Sequence, residues 1–373
     1  MPTLTEAAVR SQLQAVIDPE IHRPITDLDM VRSVAIEGGT VVVGIDLTTA
    51  GCPLRDTIVR DVRARVGELP GVTAVEVELG VMTDEQKSAL RTKLRGGTPE
   101  PVIPFAQPGS LTRVYAVTSG KGGVGKSSVT ANLAAAFAAR GLKVGVVDAD
   151  IYGFSIPRML GVTTPPVKLD DMIVPPVAHG VKVISIGMFT APGTPVIWRG
   201  PMLHRAVQQF LGDVFWGDLD ILLLDLPPGT GDVAISVAQF LPNSEILVVT
   251  TPQVAAAEVA QRAGIISAQT RQHVAGVIEN MSWLETPEGR LDVFGSGGGQ
   301  QVATALSEGL GYDVPLLAQV PLDIALRAGG DEGTPVVLDA PDSPAARALL
   351  GVADLLASRA RGLAGRHLGI VPR

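Results

Sequence analysis

The stretch that most constrains this chain is Ser119-Gly-Lys-Gly-Gly-Val-Gly-Lys-Ser127, which follows an apolar strand and opens a helix. Its spacing from Gly120 through Gly125 to Lys126 and Ser127 is that of a phosphate-binding loop. Glycines let successive backbone N–H groups converge on phosphate oxygens at the positive end of the following helix. Lys126 would reach the β- and γ-phosphates of a nucleotide, and the Ser127 hydroxyl would bind Mg²⁺. The residues predicted to hold the phosphates are Gly120, Lys121, Gly122, Gly123, Val124, Gly125, Lys126, Ser127 and Ser128.

Around this loop, residues 112–373 alternate short apolar runs with helical segments. Continuous apolar runs are typical of strands that are covered on both faces of a sheet. The pattern predicts an α/β fold, a doubly wound and mostly parallel sheet with ligands at the carboxyl ends of its strands. The runs are 114–117, 143–147, 181–186, 221–224, 246–249, 274–278 and 315–320.

The first 82 residues have a different pattern, in the order α-β-β-α-β, which predicts a small α+β domain. Cys52 lies between the predicted second strand and the start of the predicted second helix. The positive end of that helix would favour ionisation of the Cys52 thiol. A buried, inert cysteine is the alternative interpretation. A polar helical stretch and a segment rich in proline and glycine, together residues 83–111, are predicted to form the linker.

Composition narrows the class of protein. The chain has 373 residues, 46% of them hydrophobic and 18% charged, which is typical of ordered globular domains. Its net charge of −8 argues against a nucleic-acid partner. We find no apolar run long enough for a spanning helix and no signal-peptide pattern, so we expect a cytoplasmic protein without a membrane partner. The single cysteine excludes an intrachain disulfide.

Carboxylates follow two more strands of the predicted sheet. Asp148 and Asp150 point to alternate sides of an extended chain, so we expect them to have different roles. Capping of the next helix is the alternative role for Asp148. Asp225 follows 221–224 in the position of a Mg²⁺-holding carboxylate. Behind it, Gly229 is placed for its N–H to sense a γ-phosphate, which would distinguish the ATP state from the ADP state.

Lys121 makes the loop resemble the deviant phosphate-binding loop of the MinD, ParA and nitrogenase-reductase superfamily. The resemblance implies that Lys121 reaches the partner's nucleotide across a dimer and that Asp150 orients the attacking water. It also implies that Asn280 reads adenine, with Pro321 as a wall of the same pocket. On these grounds the predicted catalytic residues are Lys121, Lys126, Asp150 and Asp225, and a solvated loop lysine is the alternative interpretation of Lys121.

Longer strings narrow the resemblance to the Mrp/ApbC group of iron–sulfur cluster carrier ATPases, over residues 111 to about 345. They are Asp148-Ala-Asp-Ile-Tyr-Gly, Trp198-Arg-Gly-Pro201, Asp225-Leu-Pro-Pro-Gly-Thr-Gly-Asp232, Glu279-Asn-Met-Ser282 and Pro321-Leu-Asp323. Residues 1–80 resemble the small iron–sulfur assembly domain of the PaaD and SufT kind, whose matching cysteine is Cys52. The resemblance implies a homodimer that binds ATP and Mg²⁺, hydrolyses ATP slowly and delivers a 4Fe–4S cluster to apoproteins with the help of assembly factors.

The chain departs from that group at one point. Many members follow Glu-Asn-Met-Ser with a Cys-x-x-Cys pair, and here Thr286 and Gly289 stand at those positions. Neither can ligate iron as a thiolate does, so a cysteine-held cluster at that place is excluded. If the protein holds a cluster, Cys52 is its only thiol. The five histidines show no metal-ligand spacing and are expected to be structural or exposed.

Two further functions remain open. One is a nucleotide-gated adaptor that carries no cluster, which the missing cysteine pair favours. The other is positioning on a membrane as in MinD, through a helix within residues 343–361, although its apolar stripe more commonly packs on a sheet. DNA partitioning is disfavoured by the acidic balance, and electron transfer of the nitrogenase-reductase kind is excluded by the absence of cysteine after residue 52.

Overall fold

The chain divides into two compact units. The first unit comprises residues 1–101 and 167–174, and the second comprises 102–166 and 175–373. The computed structural model describes residues 4–19, 21, 23–48, 55–94, 102–107, 109–150, 153–169, 172–189, 200–229, 231–253, 267–270 and 272–359.

The first unit has the predicted order α-β-β-α-β and continues into one more helix. Its elements are α1 (Glu6–Leu13), β1 (Val31–Glu37), β2 (Thr40–Leu47), α2 (Arg55–Gly67), β3 (Ala74–Val81) and α3 (Asp84–Leu94). Strand β2 lies in the middle, antiparallel to β1 and parallel to β3. Val41, Val43 and Ile45 alternate along β2 and are fully buried, which gives the small sheet its apolar face.

Helix α3 begins with a capping box. The Thr83 hydroxyl accepts the Gln86 N–H at 3.2 Å, and the Gln86 side chain accepts the Thr83 N–H at 2.7 Å. Leu90 and Leu94 are buried, so this polar stretch has an apolar side that packs. The first unit also includes an antiparallel hairpin, β6 (Val167–Leu169) with β7 (Met172–Val174).

The second unit is built on a sheet to which nine strands contribute among the described residues, in the order β13-β12-β11-β4-β10-β5-β9-β8 with β14 beside β12. They are β4 (Arg113–Thr118), β5 (Val144–Asp148), β8 (Val177–Ala178), β9 (Val181–Ser185), β10 (Ile221–Asp225), β11 (Glu245–Thr250), β12 (Val274–Thr286), β13 (Gly289–Leu291) and β14 (Leu316–Leu322). All pairings are parallel except those of β8 and β13 at the edges. The predicted mostly parallel α/β fold is confirmed.

Helices cover the sheet of this unit. They are α4 (Lys126–Ala139), α5 (Ile156–Met159), α6 (Gly200–Gly212), α7 (Asp232–Phe240), α8 (Gly298–Leu310), α9 (Ile324–Glu332), α10 (Val336–Asp339) and α11 (Pro344–Ser358). Helix α4 is apolar on nearly every side because strands, α5 and α11 all pack around it. It therefore forms a rigid base for the loop that precedes it.

The apolar stripe of α11 is largely buried, although Leu355 is 52% exposed. Leu349, Val352 and Leu356 have no exposed surface, and the helix packs on α4 and β14. This arrangement favours the packing interpretation over the membrane-surface one. Within the described part of the chain, no helix combines the length and the apolar character needed to cross a membrane.

Candidate nucleotide-binding site

The predicted phosphate-binding loop joins the end of β4 to the start of α4. Gly123 and Gly125 have φ values of +80° and +79°, a left-handed conformation that favours glycine. At Gly125 a Cβ atom would lie 2.2 Å from Asn280 Nδ2, so only glycine fits there. The loop therefore needs glycine at two positions that have a left-handed backbone, and one of them, Gly125, packs directly against Asn280.

Lys126, Ser127 and Asp225 meet beneath this loop. Lys126 Nζ lies 2.7 Å from Asp225 Oδ2 and 3.7 Å from Asp150 Oδ2. The Ser127 hydroxyl donates to Asp225 Oδ2 at 2.6 Å. Asp225 is fully buried and Lys126 nearly so, which means that each charge relies on the other for compensation. The structure thus brings the predicted residues of three separate segments together.

The chemistry of these donors fits Mg²⁺. Ser127 Oγ and Asp225 Oδ2 are neighbouring oxygens, and Mg²⁺ commonly takes one or two protein oxygens together with phosphate and water. Across the described residues, no group of three or more histidine, cysteine or acidic side chains is placed to hold a metal by protein ligands alone. A bound Mg²⁺ would therefore depend on the substrate's phosphate oxygens and on water for the rest of its ligands.

Asp148 and Asp150 have different neighbours. The Asp148 carboxylate accepts N–H groups from Ile156 and Asp150, each at 3.2 Å, and the Ser185 hydroxyl at 3.1 Å. Burial, followed by the nearby charge of Asp225, raises the pKa of Asp148 to about 7. Because Ile156 begins α5, the helix-capping alternative applies to Asp148, whereas Asp150 is the one that lies near Lys126.

Gly229 and Lys121 both have partners within the chain. The Gly229 N–H donates to the carbonyl oxygen of Ser119 at 2.9 Å, at the first position of the phosphate loop. Lys121 Nζ donates to the side-chain oxygen of Gln253, in the turn after β11. The spacing of the motifs did not indicate Gln253, since it follows a strand that carries none of the predicted site residues.

Asn280 and Pro321 line one cleft, beside the loop. The cleft has a volume of about 280 Å³ and is also lined by Gly125, Ser128, Met159 and Leu326. Asn280 is buried, and its Nδ2 donates to the carbonyl oxygen of Val124 at 2.9 Å. The next residue, Met281, has a φ of +59°, an uncommon value for a side-chain-bearing residue.

Sequence reasoning missed a buried carboxylate next to Asn280. Glu279 is fully buried and accepts the Gly299 N–H at 2.5 Å and the Gln319 side-chain amide at 2.7 Å. It thereby joins β12 to the start of α8 and to β14. Its place in the string Glu279-Asn-Met-Ser282 was the available signal, but only burial shows that it is structural.

Thr130 was missed as well. Its hydroxyl oxygen lies 2.9 Å from Asp225 Oδ1 and 2.9 Å from the carbonyl oxygen of Lys126. Its position four residues after Lys126 places it on the same face of α4, so helical spacing was the signal that pointed to it. Together with Ser127 it fixes the orientation of the Asp225 carboxylate.

Thr286 and Gly289 face each other in the hairpin of β12 and β13. They are a register pair, and the Thr286 hydroxyl donates to the Gly289 carbonyl at 2.8 Å. Trp283 stacks under Arg290, with 4.0 Å between the guanidinium and the ring centroid. The two positions at which the resemblance led us to expect a cysteine pair are thus adjacent and bonded to each other.

Several predicted residues lie outside the part of the chain that the structure describes. Cys52 lies outside the described residues, as do Trp198, Arg199, His22 and His367. The remaining histidines bond to single protein groups: His179 to the carbonyl of Gly333, His204 to the hydroxyl of Ser236 and His273 to Glu245. These contacts are in keeping with structural roles.

The P-loop class of nucleoside triphosphatases is defined by a parallel sheet and a glycine-rich loop before a buried helix. A lysine and an aspartate lie together beneath that loop, as they do here. A family model described as NUBPL iron-transfer P-loop NTPase matches residues 110–357. A second model, described as an iron-sulfur cluster assembly protein, matches residues 6–79. The chain belongs to this family of iron-transfer P-loop NTPases, and the resemblance predicted from its motifs is confirmed.

Relatives align along nearly the whole chain. An iron-sulfur cluster carrier protein of Mycobacterium leprae (strain TN) is 64% identical over 369 residues, which cover 98% of this chain and 96% of that protein. A protein of the same name from Synechocystis is 42% identical over 365 residues, covering 95% and 98%. The solved structure of a nucleotide-binding protein from Archaeoglobus fulgidus in complex with ADP has a TM-score of 0.53 and 32% identity, covering 70% of this chain and 95% of that one.

Proposed function

We propose that the protein is a Mg²⁺-dependent, slow ATPase that works as a homodimer and carries iron–sulfur clusters to client apoproteins. The observation that carries the ATPase part is the convergence of Lys126, Ser127 and Asp225 beneath the loop, next to a cleft large enough for a nucleoside. The names of the relatives support the cluster-carrying part. The single cysteine is in keeping with a reducing compartment, and we propose the cytoplasm.

In this proposal the backbone N–H groups from Gly120 to Ser128 hold the phosphates. Lys126 moves from Asp225 to the β- and γ-phosphates and balances the charge that spreads over the transferred phosphoryl group. Ser127 and Asp225 hold Mg²⁺, which would supply further compensation for that charge when bound. Asp150, near the same ammonium group, orients the attacking water.

The cleft beside the loop would hold the adenosine moiety. Asn280 keeps one amide hydrogen on Val124, and its carbonyl oxygen and second amide hydrogen can bond the edge of adenine. Pro321 is a flat apolar wall of the same cleft. Base recognition and loop shape would then depend on the same carboxamide.

Hydrolysis would act as a switch. A γ-phosphate would compete with the Ser119 carbonyl for the Gly229 N–H, so that loss of the phosphate returns the loop to the arrangement described above. Lys121 would leave Gln253 and bind the nucleotide of the partner subunit. The arrangement of the two subunits would then depend on whether ATP or ADP is bound.

The experiment for this proposal measures phosphate release from ATP by the full-length protein. We expect slow turnover in the presence of Mg²⁺ and its loss on addition of excess EDTA, because without the metal the Asp225 carboxylate would repel the phosphates and Lys126 alone would not balance their charge. Restoring Mg²⁺ should restore turnover. Turnover that persists unchanged in EDTA would contradict the assigned role of Ser127 and Asp225.

A second candidate function is a nucleotide-gated adaptor that carries no cluster. The bonded pair of Thr286 and Gly289 supports it, since a hydroxyl and a glycine replace the thiols of related proteins. The cluster-carrying proposal instead depends on Cys52, which would provide two thiols per dimer. Histidine, carboxylate, a small thiol or a partner would supply the other ligands of a 4Fe–4S cluster.

Anaerobic reconstitution with iron and sulfide separates the two candidates. For a carrier we expect a visible cluster absorption band in the parent protein and its loss in Cys52→Ser, because a hydroxyl is a poor ligand for iron. ATP turnover should be retained in that variant as a control for folding. Absence of a cysteine-dependent band in the parent would leave the adaptor as the supported function.

A further inference from the structure

An ion pair crosses the outer side of the nucleoside cleft. Arg158 on α5 donates from Nη2 to Asp331 Oδ1 on α9 at 3.0 Å, and both residues line the cleft. Their side chains are 71% and 51% exposed, whereas Asn280, which lines the same cleft, is buried. The pair therefore lies at the solvent side of the cleft, and Asn280 lies at its inner side.

The two helices do not need this ion pair to stay together. Their C-terminal turns already touch backbone to backbone, since a Cβ atom on Gly161 would lie 2.7 Å from the carbonyl oxygen of Gly333. An ion pair this exposed contributes little to the free energy of folding because water and salt screen it. A role in stability therefore does not account for its position across the cleft.

Helix α5 connects that ion pair to the predicted catalytic segment. The Ile156 N–H, at the start of α5, donates to Asp148, and the same carboxylate accepts the Asp150 N–H. The start of α5 is therefore held by Asp148 whether or not the ion pair forms. A nucleoside in the cleft would contact both α5 and α9.

We propose that Arg158 and Asp331 form a clasp over the outer side of the cleft and set how long the nucleoside part of a bound nucleotide is retained. The inference rests on the proposed function, because it takes the cleft to hold a nucleoside. The clasp must open for a nucleoside diphosphate to leave. It has no bearing on a ligand that fills only the phosphate loop.

The protein contains a matched control for the clasp. Arg327 bonds the other oxygen of Asp331 at 3.1 Å, and its side chain is 72% exposed, nearly the same as that of Arg158. It also lines the cleft. Arg327 lies on α9 itself, four residues before Asp331, so its bond does not cross to α5. The two arginines therefore share a partner, a charge and an environment, and only one of them forms the clasp.

The test measures release of radiolabelled ADP from the full-length protein by rapid filtration. We expect Arg158→Met and Asp331→Asn to release ADP about fivefold faster than the parent, the range that loss of an exposed ion pair allows. Arg327→Met should accelerate release less than Arg158→Met does, because the bond of Arg327 to Asp331 stays within α9 and does not cross the cleft. The double variant Arg158→Met/Asp331→Asn should be no faster than Asp331→Asn alone, because Asp331→Asn already removes the partner of Arg158.

Inorganic tripolyphosphate has no nucleoside, so its binding, measured by calorimetry, shows whether a variant affects the phosphate loop itself. Its affinity should be the same in the parent and in all variants. An unchanged ADP release rate in Arg158→Met, an equal acceleration in Arg327→Met, or a parallel loss of tripolyphosphate affinity would each overturn the clasp. A parent protein that binds neither ADP nor tripolyphosphate would instead overturn the proposed ATPase function.

Discussion

Replacing Lys126 with methionine is expected to lower ATP turnover at least about 100-fold, the cost typical of losing a preorganised charge at a transition state. Methionine keeps the length of the side chain and removes the ammonium group that would balance the phosphoryl charge. The same change leaves the buried carboxylate of Asp225 without its partner at 2.7 Å. We therefore also expect the free energy of unfolding to fall by about 3 kcal/mol, as when one partner of a buried pair is removed. Steady-state phosphate release and urea unfolding measure the two effects.

The double variant Lys126→Met/Asp225→Asn separates these effects. Removing both charges takes away the uncompensated carboxylate, so we expect it to recover most of the lost free energy of unfolding. Turnover should stay at the level of the single variant. If Lys126→Met alone hydrolysed ATP at close to the parent rate, the catalytic assignment of this lysine would be wrong.

The substitution Gly125→Ala is expected to weaken ADP binding at least tenfold and to lower the free energy of unfolding by about 2 kcal/mol. Gly125 has a φ of +79°, and the added methyl group would lie 2.2 Å from Asn280 Nδ2. Either the loop or Asn280 must move, and both are parts of the proposed nucleotide site. Calorimetric titration with ADP and urea unfolding measure these changes.

Gly122→Ala provides the matched control for stability. A Cβ atom there meets nothing within 4 Å, and the backbone of Gly122 is outside the left-handed region. Its free energy of unfolding should stay within about 0.5 kcal/mol of the parent value. Equal stability of the two alanine variants would show that the loop tolerates a side chain next to Asn280.

Much of the sheet could be predicted because its signal is local. Most buried strands of the second unit are short apolar runs, and such runs are recognisable without knowledge of their neighbours. The end of β12 is an exception. The apolar run ends at Ile278, but the strand continues to Thr286 through the buried polar residues Glu279 and Asn280. Their hydrogen bonds to Gly299, Gln319 and Val124 come from distant segments, so the local sequence contains no sign of them.

The candidate site divides in the same way. Lys126 and Ser127 are recognisable by their spacing from the glycines, and Asp225 by its position after an apolar run. Gln253, Arg158 and Asp331 belong to no motif of this kind. They lie at the site only because separate segments of the chain pack together there. Gln253 bonds Lys121, and Arg158 bonds Asp331.

The amino-acid sequence by itself determined the class of fold, the phosphate-binding loop and the absence of a cysteine pair after Glu279-Asn-Met-Ser282, because these depend on residue type and spacing along one segment. Only the tertiary structure decided that Asp148 bonds the start of α5 while Asp150 lies near Lys126, and that Asn280 bonds the loop it lies beside. These outcomes depend on distances between atoms of segments far apart in the chain, and such distances are set by how the helices and strands pack.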